Sequence, residues 1–444
     1  MSVDARSISQ SIPRRRWLIG VLLGVGILVN YIDRVNLSVA APDLKREFQL
    51  TDTDIGWLLG AMSVSYALLQ IPVGMMLDRF GVTWLGRAGA FLWSLASATM
   101  AFTNGFATIF GARILLGIAE APGFPASSKA TGYWFPRRER ALATAIFDAA
   151  AKFSSVIGVP LVALVVANFG WRWGFGMTAL LSLAYFIVYF LIYRDPSADP
   201  KLSREEHDYI VRNGGAPEGP AEAGAVSLLG YLLKNRKVWG LTLGFAAYGY
   251  SFYMFLTWLP GYLAATAHMT IIKSAGYTAI PWGCATVADL IVGGWLVDHL
   301  IARGYGETAV RKGVLVAGML VGLTVFGASQ TTDPDWAIFW ISIALSGLAA
   351  SAPVGWSIPS LIAPKGGTGA IAGIMNFFNN LMGVAAPIAT GYVVGLTGSF
   401  SGAFLIAGVV LLIGILAYIV LLGDIAPLPD RDATLGTVPA SRIA

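Results

Sequence analysis

The sequence predicts an all-α integral membrane protein whose twelve transmembrane helices form two pseudo-symmetric six-helix bundles. Three observations predict it. The 444-residue chain is 56% hydrophobic and only 12% charged, whereas soluble domains run at about 25% charged. Its apolar residues fall into twelve segments bounded by charge, Gly and Pro, and a spanning helix needs ~20 mostly apolar residues. The end of the second segment, Gly74-Met-Met-Leu-Asp78, returns as Gly294-Trp-Leu-Val-Asp298 at the end of the eighth, the mark of two related halves.

The segments run at about 17–41, 54–77, 84–103, 106–128, 141–167 and 172–193, then 237–265, 276–302, 313–330, 335–362, 368–396 and 400–422. The expected organisation is therefore an N-terminal bundle (1–193), a polar linker (194–236) and a C-terminal bundle with a tail (237–444). Within the linker, Ser203 followed by Glu206 reads as a capping box. It opens a short surface helix that Asn213-Gly214-Gly215 ends. The basic stretch Arg14–Arg16 before the first segment resembles a signal peptide. That segment is too long for one and carries Asp33 and Arg34, so it reads as a retained helix.

Loop charge orients the chain. Arg14–Arg16, Arg79, Arg87, Lys129, Arg137, Arg138, Arg140, Lys234, Arg236, Lys237, Arg303, Arg311, Lys312 and Lys365 fall at one end of the spans. Few basic residues, such as Lys45, Arg46 and Lys273, fall at the other. Both termini are thus expected in the cytoplasm. The net charge of +5 belongs to these loops, and no nucleic-acid partner is expected. One cysteine and three scattered histidines give no disulfide framework and no metal spacing. No Walker loop, dinucleotide fingerprint or His/Cys/carboxylate cluster is present, so neither catalysis nor a cofactor is expected.

Ionisable groups at membrane depth cost ~2.5–3.5 kcal/mol each by insertion scales and are functional candidates. Asp33 and Arg34 lie in the first segment. Arg113 and Glu120 lie in the fourth, seven residues apart and so nearly on one face. The expectation is that these four share one cavity, each arginine pairing with a carboxylate. Protonating Asp33 or Glu120 would free an arginine, whose planar fork matches an incoming carboxylate. Proton and anion would then bind together. The alternative is a static ion-pair cluster. Asp148 and Lys152, four apart in the fifth segment, share a face; Lys152 either neutralises Asp148 or faces the cavity as a third cation. Asp289 shows no partner in the sequence. Tyr31, Tyr66, Trp356, Asn376, Asn379 and Asn380 are candidate contacts for cargo hydroxyls.

The run Gly74-Met-Met-Leu-Asp78-Arg79-Phe80-Gly81 resembles the loop signature of the major facilitator superfamily, with Thr83 where a basic residue is usual. Tyr31-Ile-Asp33-Arg34-Val-Asn36, Arg113-Ile-Leu-Leu-Gly117-Ile-Ala-Glu120-Ala-Pro122, Trp134-Phe135-Pro136, Thr257-Trp258-Leu-Pro260 and Gly373-Ile-Met-Asn376 resemble the anion:cation symporter family within it. That family includes bacterial D-galactonate, glucarate and hexuronate transporters and the animal sialins. The resemblance implies Asp33 and Glu120 as proton-coupling acids linked by Arg113. It implies Arg34, Tyr31, Tyr66, Trp356 and Asn376 as cargo contacts, with Lys152 added by this chain. It also implies a gate at Gly74, Asp78, Arg79 and Asp298. The fifth helix departs from the sugar-acid pattern, with Ala151 where an amide or hydroxyl is usual.

The expected function is proton-driven import of a small organic acid anion across a bacterial inner membrane by a monomer, with the proton gradient as the only driving force. A sugar acid (aldonate, uronate or aldarate) leads; an aromatic or other carboxylate, or export by proton antiport, are the alternatives. Exporters usually carry a glycine pair that Gly158-Val-Pro160-Leu-Val-Ala163 lacks.

Overall fold

The computed structural model describes residues 14–136, 139–215, 225–266, 269–331, 333–364 and 367–430. Arg137, Arg138, His268, Lys365 and the side chain of Asp78 lie outside the described residues. Among those described, every regular element is helical. Before the linker come α1 (Arg15–Phe48), α2 (Asp52–Met100), α3 (Phe106–Glu120), α4 (Gly123–Trp134), α5 (Arg140–Phe169) and α6 (Trp171–Ile192). The linker holds α7 (Arg204–Arg212) and α8 (Ala225–Leu232). After it come α9 (Arg236–Thr266) and α10 (Ile271–Ala288), which continues through a π-helical stretch, Asp289–Leu296, into α11 (Val297–Ala302). The chain ends with α12 (Glu307–Gly322), α13 (Pro334–Ile362), α14 (Thr368–Thr397) and α15 (Ser401–Leu416).

Helix α2 opens with a full capping box: Thr51 Oγ1 accepts from the Asp54 N–H at 3.1 Å, and Asp54 Oδ2 accepts from the Thr51 N–H at 2.9 Å. Its 49 residues would reach ~70 Å unbroken, far beyond a ~30 Å hydrocarbon core. Gly81, at φ 76° and ψ 168°, breaks it into two arms, because a positive φ is open to glycine at no steric cost. These arms are the second and third segments of the sequence. Among the described residues, nine helical stretches are long and apolar enough to cross a membrane. The two arms of α2 and the 31-residue, aromatic-rich α9 bring the segments of spanning length to twelve.

Large apolar side chains such as Leu68, Leu164, Leu180, Leu191 and Val420 point outward and are exposed. A water-facing surface would not carry so many; a lipid-facing one does. Inside, helices meet through small residues. A Cβ on Gly56 would fall 2.7 Å from the Pro387 carbonyl oxygen, so the backbones of α2 and α14 are in contact there, as small residues permit in membranes.

The linker is bound tightly to the start of α1. Ser203 caps α7 by accepting from the Glu206 N–H at 3.2 Å, but the reciprocal half of the capping box goes elsewhere. Glu206, fully buried, accepts from the backbone N–H groups of Arg15 and Arg16 at 3.1 and 3.0 Å and from Arg16 Nη1 at 2.9 Å. It therefore caps α1, where a negative charge complements the helix dipole. Arg16 also pairs with Glu139 at 2.7 Å, and Tyr209 donates to the same carboxylate at 2.8 Å. Burial alone would raise the Glu139 carboxyl, but these hydrogen bonds outweigh it and hold it below the usual carboxylate range. This anchor contributes stability above that range and loses it as pH falls through the lowered value. Glu206→Ala would leave Arg16 and two amides short of a buried partner. It is expected to lower stability by about 3 kcal/mol, read as a drop in the thermal midpoint of detergent-solubilised protein.

Candidate functional site

The six expected cargo contacts converge. Tyr31, Arg34, Tyr66, Lys152, Trp356 and Asn376 all line one central cavity of about 50 Å³. Arg34 is the centrepiece. Its guanidinium carbon lies 4.6 Å from the Tyr31 ring centre and 4.8 Å from that of Tyr66, and its side chain is 10% exposed. Its Nε donates to Glu120 Oε2 at 3.1 Å. The other Glu120 oxygen is buried and unpartnered. Tyr31, Arg34 and Ser38 share a face of α1 by their spacing of three and four residues.

The four membrane-depth charges do not share that cavity, which corrects the sequence expectation. Only Arg34 lines it. Consecutive residues on a helix point ~100° apart, so Asp33 turns away from it. Asp33 accepts from Trp93 Nε1 at 2.8 Å and from the Ser97 hydroxyl, both on the second arm of α2, and from Thr178 Oγ1 on α6 at 2.9 Å. Among the described residues no cation lies within ion-pair distance of it. Thr178 in turn accepts from Asn36 at 3.1 Å. Among the described residues Arg113 also pairs with no carboxylate. Its Nε donates to the Leu58 carbonyl at 3.3 Å, and its Nη1 is buried without a partner.

Asp289 is a further correction. Asp289 has a partner: Lys152 Nζ lies 2.8 Å from Asp148 Oδ2 and 3.3 Å from Asp289 Oδ2. Lys152 is a cavity residue, but two carboxylates already compensate it. The residues expected to gate stand apart. Arg79 and Asp298 are exposed and Gly74 has nothing against it. The internal repeat is also unequal in shape, since Gly74 lies in regular helix and Gly294 in the π-helical stretch.

Sequence reasoning missed Phe245, Tyr248, Phe252 and Tyr253 on α9 and Phe124 on α4, which complete the cavity wall. Buried tyrosines in an apolar helix were the available signal, because each hydroxyl there needs a partner. Tyr253 donates to Asn380 Oδ1 at 3.1 Å, and Asn380 donates to Asn376 Oδ1 at 3.0 Å. Ala151 also lines the wall, so the missing amide of the fifth helix is missing from the cavity itself.

Contacts across the bundle narrow the cavity toward both ends. The N-terminus of α1 lies beside the end of α4, since Trp17 packs edge-on against Phe135, the residue that ends α4, with centroids 5.1 Å apart; these helices run antiparallel. One turn beyond Arg34 on α1, Ser38 donates to the Thr257 carbonyl of α9. One turn beyond Glu120, in the other direction, Phe124 stacks on Trp356 of α13 with centroids 5.9 Å apart. Asn376 Nδ2 also reaches Gln70 Oε1 at 3.4 Å. A volume of ~50 Å³ holds a few waters, while ligand pockets run ~300–1,000 Å³. Beyond the Ser38 closure a wider hollow of about 830 Å³ opens among Pro42, Lys45, Trp258 and Tyr262.

A membrane-spanning bundle that buries charge around a central cavity has the form of a membrane transport protein. The chain belongs to the Major Facilitator Superfamily, whose sequence pattern matches residues 23–387. It is 43% identical to the uncharacterized transporter YybO of Bacillus subtilis strain 168, covering 92% of this chain and 94% of that one. It is 32% identical to the D-galactonate transporter of Escherichia coli O6:H1, covering 93% and 96%. It is also 32% identical to the probable sulfoacetate transporter SauU of Cupriavidus necator, covering 92% and 94%. In fold it is similar to a solved bacterial homologue of the human lysosomal transporter Spinster, inward-facing and occupied. That likeness has a TM-score of 0.71 at 17% identity and covers 92% of this chain and 97% of the other.

Proposed function

We propose that this protein is a proton-coupled symporter that imports a small organic acid anion, a sugar acid foremost, across a bacterial inner membrane. One observation carries the reading. The cavity's arginine is shared with a carboxylate, Glu120, that has one oxygen on Arg34 and one with no partner. An anion reaching Arg34 competes with Glu120. A proton on Glu120 removes the competitor, so anion and proton favour each other's binding. The relatives named for D-galactonate and sulfoacetate support an acid cargo. The amide and phenol groups of Asn376, Asn380 and Tyr253 suit its hydroxyls.

Transport would follow alternating access between two six-helix halves, 1–193 and 237–444, with the cargo site between them. The described state is then an occluded one. With both termini cytoplasmic, as the loop charge implies, the wide hollow beside Pro42 and Trp258 is the outer mouth. A second reading, an aromatic carboxylate, is favoured by the ring wall of Phe124, Phe245, Phe252 and Trp356.

The test is uptake by purified protein in liposomes under an inward proton gradient. The panel spans labelled aldonates, uronates, aldarates and aromatic carboxylates. One class is expected to accumulate and to collapse with a protonophore. Accumulation of none, with efflux of cationic drugs instead, would replace the reading with export.

A further inference from the structure

The cavity carries a second charge cluster that cargo binding at Arg34 does not use. Lys152 is 2% exposed and is held by Asp148 one turn away on α5 and by Asp289 at 3.3 Å. Asp289 begins the π-helical stretch, so this ion pair joins a helix before the linker to one after it. Such stretches recur at functional sites. Asp289 is 3% exposed, and its Oδ1 is buried with no hydrogen-bond partner.

The charges enclosed in the middle of the bundle do not balance. Among the described residues the cations there are Arg34, Arg113 and Lys152; the carboxylates are Asp33, Glu120, Asp289 and the partly buried Asp148. Arg34 and Arg113 equal Asp33 and Glu120 in number, two against two. The excess carboxylate belongs to the Lys152 cluster. Among the described residues the one further cation at this cavity is Arg34, which is paired with Glu120. Helix α1 brings Tyr31 and Arg34, and α9 brings Tyr248 and Tyr253, to the same cavity. Helix α4 turns Lys129 to the Leu77 carbonyl, and α6 turns Tyr185 and Tyr189 toward Gly26 and Gly86. Helix α10 holds Tyr277 on Asp335, the sole ionisable residue of α13, at the exposed start of that helix. A buried uncompensated charge is strongly disfavoured.

We propose that Asp148, Lys152 and Asp289 form a second proton site, separate from Glu120, that must be loaded for the two halves to close. A proton from solvent binds a carboxylate of the cluster, and the free Oδ1 of Asp289 is the open position. Lys152 and the remaining carboxylate then form a neutral pair. Opening separates Lys152 from Asp289 and returns the cluster to water, where the proton leaves. The part of this that concerns cargo stoichiometry rests on the proton-coupled reading of Arg34 and Glu120.

Wild type, Asp289→Asn, Asp148→Asn and Glu120→Gln are melted in detergent in acidic and alkaline buffer. The wild-type midpoint is expected to fall in alkaline buffer as the proton leaves. Asp289→Asn and Asp148→Asn should each lose much of that fall. A static ion pair behaves otherwise: its variants are less stable than wild type in both buffers, and that outcome overturns the proposal. So does a fall that only Glu120→Gln removes, an absent wild-type fall, or failure of both Asn variants to give folded protein. In liposomes, with D-galactonate and D-glucarate as probes, the zero-flux condition gives protons per cargo. Asp289→Asn is expected to need one proton fewer than wild type, and an unchanged ratio in a coupled carrier overturns the site. Absent coupling in wild type removes the symport reading instead, and the melts still decide the proton site.

Discussion

Arg34→Ala is expected to abolish uptake. The substitution removes the cavity's carboxylate receptor, together with the cation stacked between Tyr31 and Tyr66. It also leaves Glu120 buried without its ion-pair partner. Losing one member of a buried pair costs about 3–5 kcal/mol, and each ~1.4 kcal/mol is tenfold, so uptake should fall by roughly two to three orders of magnitude. Part of that loss is destabilisation, and a second variant separates it. In Arg34→Ala/Glu120→Gln the orphaned charge is gone, so the thermal midpoint should recover while uptake stays lost. Arg34→Lys keeps the charge but not the fork and is expected to retain a small fraction of activity. Normal transport by Arg34→Ala would remove the mechanism altogether.

Glu120→Gln is expected to separate binding from coupling. A glutamine oxygen still accepts from Arg34 Nε, so the wall keeps its shape, but the residue no longer takes or releases a proton. Exchange of labelled for unlabelled cargo at equal pH should survive. Accumulation driven by the proton gradient should collapse to equilibration. Gradient-driven accumulation at the wild-type level would exclude Glu120 as the coupling acid. Asp33→Asn is a poorer test of coupling. Asp33 accepts from Trp93 and Ser97 on one oxygen and from Thr178 on the other, so an asparagine keeps the first two bonds only with its oxygen toward the indole, and its NH₂ then meets the Thr178 hydroxyl, which must stop donating there. Loss of function there would report a damaged structure as readily as a lost proton.

The spans were legible because a bilayer imposes one length and one chemistry on every helix that crosses it. The sequence segments and the helices agree to within a few residues in most cases. The differences occur where the chain leaves lipid. Helix α1 runs on to Phe48, carrying Lys45 and Arg46 into its last turn, where cations suit the helix dipole. Glu206 misled in a useful way. Its spacing from Ser203 fits a capping box, yet its carboxylate caps α1 instead, because two unpaired amides and an arginine stood closer than the helix's own start.

Composition, apolar segments and loop charge were enough to define a multi-pass helical membrane protein, and local motifs named Tyr31, Arg34, Tyr66, Lys152, Trp356 and Asn376, all of which line the cavity. Tertiary structure decided which charges meet. It put Arg34 in the cavity and Asp33 behind it, left Arg113 without a carboxylate, and brought Asp289 to Lys152. Periodicity fixes the angle between two residues on one helix, but not how that helix is rotated in the bundle or which distant helix stands across from it. Those are set by packing at small residues such as Gly56 and by local changes of helical pitch such as the one that begins at Asp289.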